Sequence, residues 1–304
     1  MSPPRLLLCR PLGGLNDMLC QIERAAAYAD QFDRTLVVDT SEQSKRYFRD
    51  RLSRYFISLQ PNLKLDLAAA GADLDALEPA PAFLKGRVSR YRMRFDPARQ
   101  SFVETESGLP VTFDFSKDHA QPLLVHHMSG GGVHAVNALG RLRLEKDLLA
   151  TLKARLRQIG AGYVGVHIRN TDYRARYAGL LGRIRVEPSD RIFVATDNAA
   201  SLRDCQIAFG ADRVFSFAAL PADGRPAHHI EDPATAYQRN RDSILDLVML
   251  ALARDLSVFE LEPNAFGARF SGYSVLAANL RSNRPLLASL ITGDEAGLDA
   301  LLAG

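Results

Sequence analysis

Cysteine is scarce in this chain of 304 residues, with only Cys9, Cys20 and Cys205 present. An odd, scattered set gives neither a disulfide framework nor zinc-ligand spacing, so a reducing compartment is expected. Long apolar runs are missing too. The run near the N-terminus, Leu6–Cys9, stops at Arg10, too short for a secretion signal's apolar core or a membrane span. A strong charge of one sign is absent: the net charge is +3, too small to imply a nucleic-acid partner. There is no phosphate-loop motif, no G-x-S-x-G nucleophile elbow, no repeat and no low-complexity segment. His119, His126, His127 and His134 have no acidic or cysteine partner at ligand spacing, so no metal is expected. These absences describe a cytoplasmic protein with no metal, cofactor or nucleic-acid partner, with peripheral membrane association left open.

The residues that are present point to α/β architecture. The length is about twice that of a typical domain, so two domains are the default. Apolar residues make up 47% and charged residues 24%, ordinary values for a globular protein. "RLLLCR" reads as a buried strand, and Met18, Leu19, Ile22, Ala25, Ala26 and Ala29 recur at helical spacing after it. "RTLVVDT" closes this β-α-β unit. Residues 46–59 have helical character. Residues 86–95 alternate, with Arg90, Arg92 and Arg94 on one face of an expected strand. Past a break near 136–146 the pattern restarts. An amphipathic helix carries Leu148, Leu152, Leu156 and Ile159, and the strands "YVGVHI", "RIFVATDN", "DRVFSF" and "LSVFEL" alternate with helices. Alternation of this kind predicts parallel sheets covered on both faces. The natural ligand sites then lie at the strands' C-terminal ends.

Five stretches carry chemistry. Gly13–Asp17, "GGLND", is a glycine turn into a helix, where free N–H groups suit an anion or a sugar hydroxyl; the plainer alternative is a tight turn capped by Asn16 or Asp17. "VHIRNTDY" places His167, Arg169 and Asp172 at the end of a buried strand, where a guanidinium can grip phosphate through two N–H bonds; the alternative is a surface ion pair. "FVATDN" brings Thr196, Asp197 and Asn198 to a second strand end, or else simply caps a helix. Asp246 lies in an apolar helix, so it must be paired, and a structural role is expected. "PNAFGARF" is a turn that could present backbone N–H groups and Arg269 to a phosphate, or an ordinary turn relaxed by Gly267.

Four of these stretches, in this order, resemble the fucosyltransferases: the α1,2-, α1,6- and nodulation-type enzymes and the protein O-fucosyltransferases. "GGLNDMLCQIERA" resembles their glycine-rich opening and "VHIRNTDY" their histidine–arginine motif. "FVATDN" is similar to the strand that ends in serine or threonine and aspartate. "SILDLVMLALARDLSVFELEPNAFGARFS" resembles the final helix, strand and phosphate turn. The resemblance implies two Rossmann-like domains facing across a cleft, the GT-B arrangement, here residues 1–140 on the acceptor side and 141–304 for the nucleotide sugar. It implies that Arg169 holds the donor's diphosphate, that His167 lies near the nucleoside, and that Asp197 lines the same crevice. Asn264, Ala265 and Phe266 would form the phosphate turn, and Gly13, Gly14 and Asn16 would face the donor. Three positions depart from the pattern: Asn170 replaces a second arginine, Asn264 and Ala265 replace a serine pair, and Tyr177 replaces an acidic residue. These departures weaken the expected grip on the diphosphate.

The resulting expectation is a metal-independent, inverting glycosyltransferase, with GDP-fucose as donor and a hydroxyl of a glycan or similar molecule as acceptor. Asp17 is the candidate base, since Tyr177 ionises too high and Asp172 would be weakened by pairing with Arg169. The alternatives are a different nucleotide sugar, or a relative that binds nucleotide or carbohydrate without catalysis.

Overall fold

A computed structural model describes residues 5–41, 48–221, 232–265 and 267–303. The chain divides into two compact units, Met1–Arg143 and Leu144–Gly304.

In the first unit, β1 (Leu6–Cys9) is buried at every position, so it must lie inside a covered parallel sheet. It leads through a glycine turn into α1 (Leu15–Gln31), whose buried face includes Met18, Leu19, Ile22, Ala25, Ala26 and Ala29. β2 (Thr35–Val38), β3 (Phe56–Ser58), β4 (Leu63–Lys64), β5 (Pro79–Ala80), β6 (Met93–Asp96), β7 (Ser101–Glu104) and β8 (Leu123–His126) follow. The main sheet has the order β4-β2-β1-β8-β5, and all its pairs are parallel. β6 and β7 form an antiparallel hairpin with Phe95 opposite Phe102. α2 (Ala135–Leu139) and β9 (Leu142–Leu144) close the unit, β9 pairing with β3.

Two expectations fail here for local reasons. The stretch 46–59 is not a helix over its described part, which holds only a single 3-10 turn, Leu52–Arg54, before β3. Arg49 has φ +50, which a helix interior excludes. The Asp50 carboxylate takes the Arg51 N–H at 2.8 Å and the Tyr55 hydroxyl at 2.6 Å, and such local bonds compete with a helix. The arginine row does not share one strand face. β6 starts only at Met93, and the segment before it turns, the Tyr91 N–H bonding the Arg87 carbonyl at 3.0 Å.

The second unit opens with α3 (Lys146–Ile159). β10 (Val164–Ile168), β11 (Ile192–Thr196), α4 (Ala199–Phe209), β12 (Val214–Phe215), α5 (Pro233–Leu252) and β13 (Asp255–Val258) follow, and α6 (Gly272–Arg281), α7 (Arg284–Ile291) and α8 (Glu295–Ala303) end it. Its sheet runs β12-β11-β10-β13 and is parallel throughout. α5 presses closely on β10 at Gly165, where an added Cβ would stand 2.9 Å from the Ala253 Cβ. Asp246 on α5 bonds Arg155 of α3 at 2.9 Å, and Asp242 meets the same guanidinium, with all three side chains buried. The structural pairing expected of Asp246 is therefore present. Among the described residues no helix is long and apolar enough to cross a membrane.

Candidate functional site

Each parallel sheet has a point where its order reverses. β1 is flanked by β2 and β8, and β10 by β11 and β13. Loops leaving the C-terminal ends of such strands part there and leave room for a ligand. The candidate residues sit at these two points, one in each unit.

In the second unit, Arg169 follows β10 directly. Its guanidinium bonds Asp172 at 2.5 Å and Asp197 at 2.9 Å. Asp197 is the organiser of the loop. It accepts the Asn170 N–H at 2.7 Å and the Thr171 hydroxyl at 2.5 Å, besides Arg169. Asn198, next to it, caps α4 through the Ala200 and Ser201 N–H groups and donates to the Asn170 carbonyl at 3.0 Å. Thus the capping expected of "FVATDN" and the proximity to Arg169 both occur, through neighbouring residues. Asn170, where a second arginine was expected, spends its amide on Ser201 at 2.9 Å. Tyr177 donates to Asp204 at 2.7 Å, and burial pushes its pKa up.

His167 is buried inside β10. Its Nδ1 is 2.6 Å from the Ser274 hydroxyl, and its ring lies 5.0 Å from that of Tyr273. Burial, with Arg169 adding to it, lowers its pKa to about 3, so it is neutral at physiological pH. The side chain ties β10 to the first turn of α6. That turn is capped by Ser271, which accepts the Ser274 N–H at 3.1 Å. The residues expected to form the phosphate turn, Asn264 and Ala265, precede α6, which begins at Gly272. Asn264 locks its own loop, donating to the Ala268 carbonyl at 2.8 Å and accepting the Ala268 N–H at 3.1 Å. Phe266 lies outside the described residues. Ser271 is an N-cap signal in the sequence for this helix start.

Two further arginines lie just past Asp172 in the sequence. After Arg169 the chain folds back, the Ala175 N–H bonding the Arg169 carbonyl at 2.9 Å. Ala175 pairs with Leu261 and joins the core. Arg174 and Arg176 flank it and are exposed, so they add positive charge to the same loop.

In the first unit, Gly13 has φ +111 and Gly14 is the N-cap of α1, without a side-chain cap bond. Asn16 is buried and donates to the Gly132 carbonyl at 3.3 Å. Asp17, in the first helical turn, has its pKa raised by burial, partly offset by hydrogen bonds from the Asn16 side chain and the Gly14 N–H. It thus reaches back to the N-cap backbone, half of a capping box. A Cβ at Gly131 would overlap its carboxylate. The glycine run 130–132 after β8 therefore belongs to this site. Among the described residues no group of three or more His, Cys, Asp or Glu side chains could hold a metal ion.

No family model matches the chain, and no curated protein does. Solved structures do. The fucosyltransferase NodZ from Bradyrhizobium is similar at TM-score 0.60 and 16% identity, over 92% of this chain and 94% of that one. NodZ alpha-1,6-fucosyltransferase soaked with GDP-fucose is similar at TM-score 0.61 and 16% identity, over 91% of this chain and 92% of that one. The form co-crystallised with GDP gives TM-score 0.59 and 16% identity, over 92% and 93%. This chain shares the fold of that fucosyltransferase.

Proposed function

We propose that the chain is a glycosyltransferase of the GT-B kind, moving fucose from GDP-fucose to a hydroxyl of a glycan or similar acceptor. The observation that carries the reading is the switch point of the second unit. There Arg169 at the end of β10 and the first turn of α6 are joined through the His167–Ser274 bond. A guanidinium beside a helix N-terminus is suited to a diphosphate. The likeness to a fucosyltransferase structure soaked with GDP-fucose supports GDP-fucose as the donor.

The chemistry follows from the charges. As the glycosidic bond breaks, negative charge grows on the departing GDP. Arg169 and the N–H groups of the first turn of α6 stabilise it, and Arg174 and Arg176 add to the field. No metal is needed for this step. Asp17 takes the acceptor's proton as the new bond forms, its burial having raised its basicity. Attack opposite the leaving group inverts the anomeric centre.

A thermal-shift panel of GDP-, UDP- and CMP-sugars tests the reading, since ligands that bind the folded state raise its apparent stability. Stabilisation by GDP-fucose above the other classes is expected. Preference for a UDP- or CMP-sugar would change the donor. GDP-fucose binding without GDP release would favour the non-catalytic alternative, the role suggested by Asn170 in place of the second arginine.

A further inference from the structure

The glycine loop after β8 is seated on α1 by a partly buried chain of hydrogen bonds. Gln21 Nε2 donates to the Gly130 carbonyl at 2.5 Å. Its Oε1 lies 2.8 Å from His126 Nε2. His126 Nδ1 in turn lies 2.9 Å from the Thr112 hydroxyl. His126 has no solvent exposure, and Gln21 is also buried.

The Gly130 atom in contact is the carbonyl oxygen, so Gln21 must present its amide nitrogen there. Its oxygen then faces His126 and has to accept, which places the imidazole proton on Nε2. Burial, reinforced by Arg24, holds the ring's pKa near 3, so the ring carries one proton and Nδ1 is an acceptor. The Thr112 hydroxyl supplies that bond. The chain thus runs one way, from Thr112 through His126 and Gln21 to Gly130, with every buried group satisfied.

The loop at the end of this chain is fitted to glycine. Gly130 has φ +128, a region that favours glycine. Gly131 leaves no space for a methyl beside the Asp17 carboxylate. A shift of the loop would therefore change what Asp17 touches. We propose that Gln21 and His126 are positioning residues that seat the 130–132 loop against Asp17 and so fix the geometry of the acceptor-side site. The catalytic part of this inference rests on Asp17 being the base; the seating of the loop does not.

Two readouts test it, in wild type, Gln21→Met and Thr112→Val. The first is the backbone order parameter of Gly130, Gly131 and Gly132, measured by NMR relaxation. Wild type should be rigid, near ~0.85, and Gln21→Met, which keeps length but loses both bonds, should fall below ~0.6. The second is steady-state GDP release from GDP-fucose, with water taking the fucosyl group. In Gln21→Met kcat should drop by about 10- to 10²-fold, the scale for a misplaced reacting group, a larger change than in the donor KM. Thr112→Val should act in the same direction, and more weakly. A folded Gln21→Met protein with a rigid loop and wild-type kcat would overturn the proposal. If Gln21→Met does not fold, Thr112→Val decides by the same readouts. Should Asp17→Asn turn out fully active while Gln21→Met still loosens the loop, the base assignment fails and the seating stands. An inactive Asp17→Asn beside an unaffected Gln21→Met leaves the base assignment intact and removes the seating.

Discussion

Arg169 faces two carboxylates at once, Asp172 at 2.5 Å and Asp197 at 2.9 Å. Its planar fork makes that possible, and lysine, a point charge on a flexible stem, cannot reproduce it. Arg169→Ala should lower GDP release by about 10²–10³-fold, the cost of one transition-state charge partner, and Arg169→Lys should recover little of it. Steady-state kinetics on variants checked for folding by circular dichroism settle this; near-normal turnover in Arg169→Ala would remove the arginine from the mechanism. Asp17 is tested differently, because it is both a helix-end group and the proposed base. Asn can still accept the Gly14 N–H, so Asp17→Asn should change stability by no more than about 1 kcal/mol. Loss of a base should cost ~10²–10⁴ in rate. The wild-type rate should rise as pH climbs through the Asp17 pKa, which burial holds above its ordinary value of 3.8. That acid limb should vanish in whatever activity Asp17→Asn retains. Turnover within a few-fold of wild type would leave Asp17 as a helix-end residue alone.

At the scale of elements, the packing of α5 on β10 makes a sharp claim. A methyl at Gly165 would stand 2.9 Å from the Ala253 Cβ, closer than packed atoms allow, and 3.4 Å from Leu250 Cδ2. Gly165→Ala should destabilise by about 1–3 kcal/mol, as overpacking does, measured by urea unfolding. The α3–α5 contact carries a pH signature. Burial lifts Asp246 to about 7, Arg155 opposing and Asp242 adding to the rise. The folded state therefore holds this proton more tightly than the unfolded chain. Its stabilising contribution is fully present below the unfolded value of ~3.9 and is lost as pH rises toward the folded value of about 7. Asp246→Asn should flatten that part of the Tm profile, and an unchanged profile would place the titration elsewhere. Elements of this kind were legible where burial writes a pattern: Leu6–Cys9, Val164–Ile168 and Ile192–Thr196 are apolar runs bounded by polar residues. They were illegible where one residue overrides the pattern, as Arg49 does with its left-handed backbone. The site was half legible. Arg169 and Asp197 announce themselves at strand ends. The glycine run 130–132, Ser271–Ser274 and the fold-back carrying Arg174 and Arg176 acquire meaning only through the sheet order, which spacing along the chain does not specify.

At the scale of the whole molecule, each unit brings one loop cluster to the reversal point of a parallel sheet, and that repetition is what the functional reading uses. The proposed reaction draws on cations supplied by the chain itself, so turnover should survive excess EDTA; loss on chelation with recovery on adding magnesium or manganese would demand another mechanism. The reading as a whole stands on one reaction, the release of GDP from GDP-fucose. Wild-type protein supplied with GDP-fucose in EDTA, with water taking the fucosyl group where no glycan hydroxyl is offered, should release GDP catalytically, over many turnovers, and Arg169→Ala should be slower by about 10²-fold or more. No GDP release by the folded wild-type protein, or equal release by the two proteins, would contradict the account.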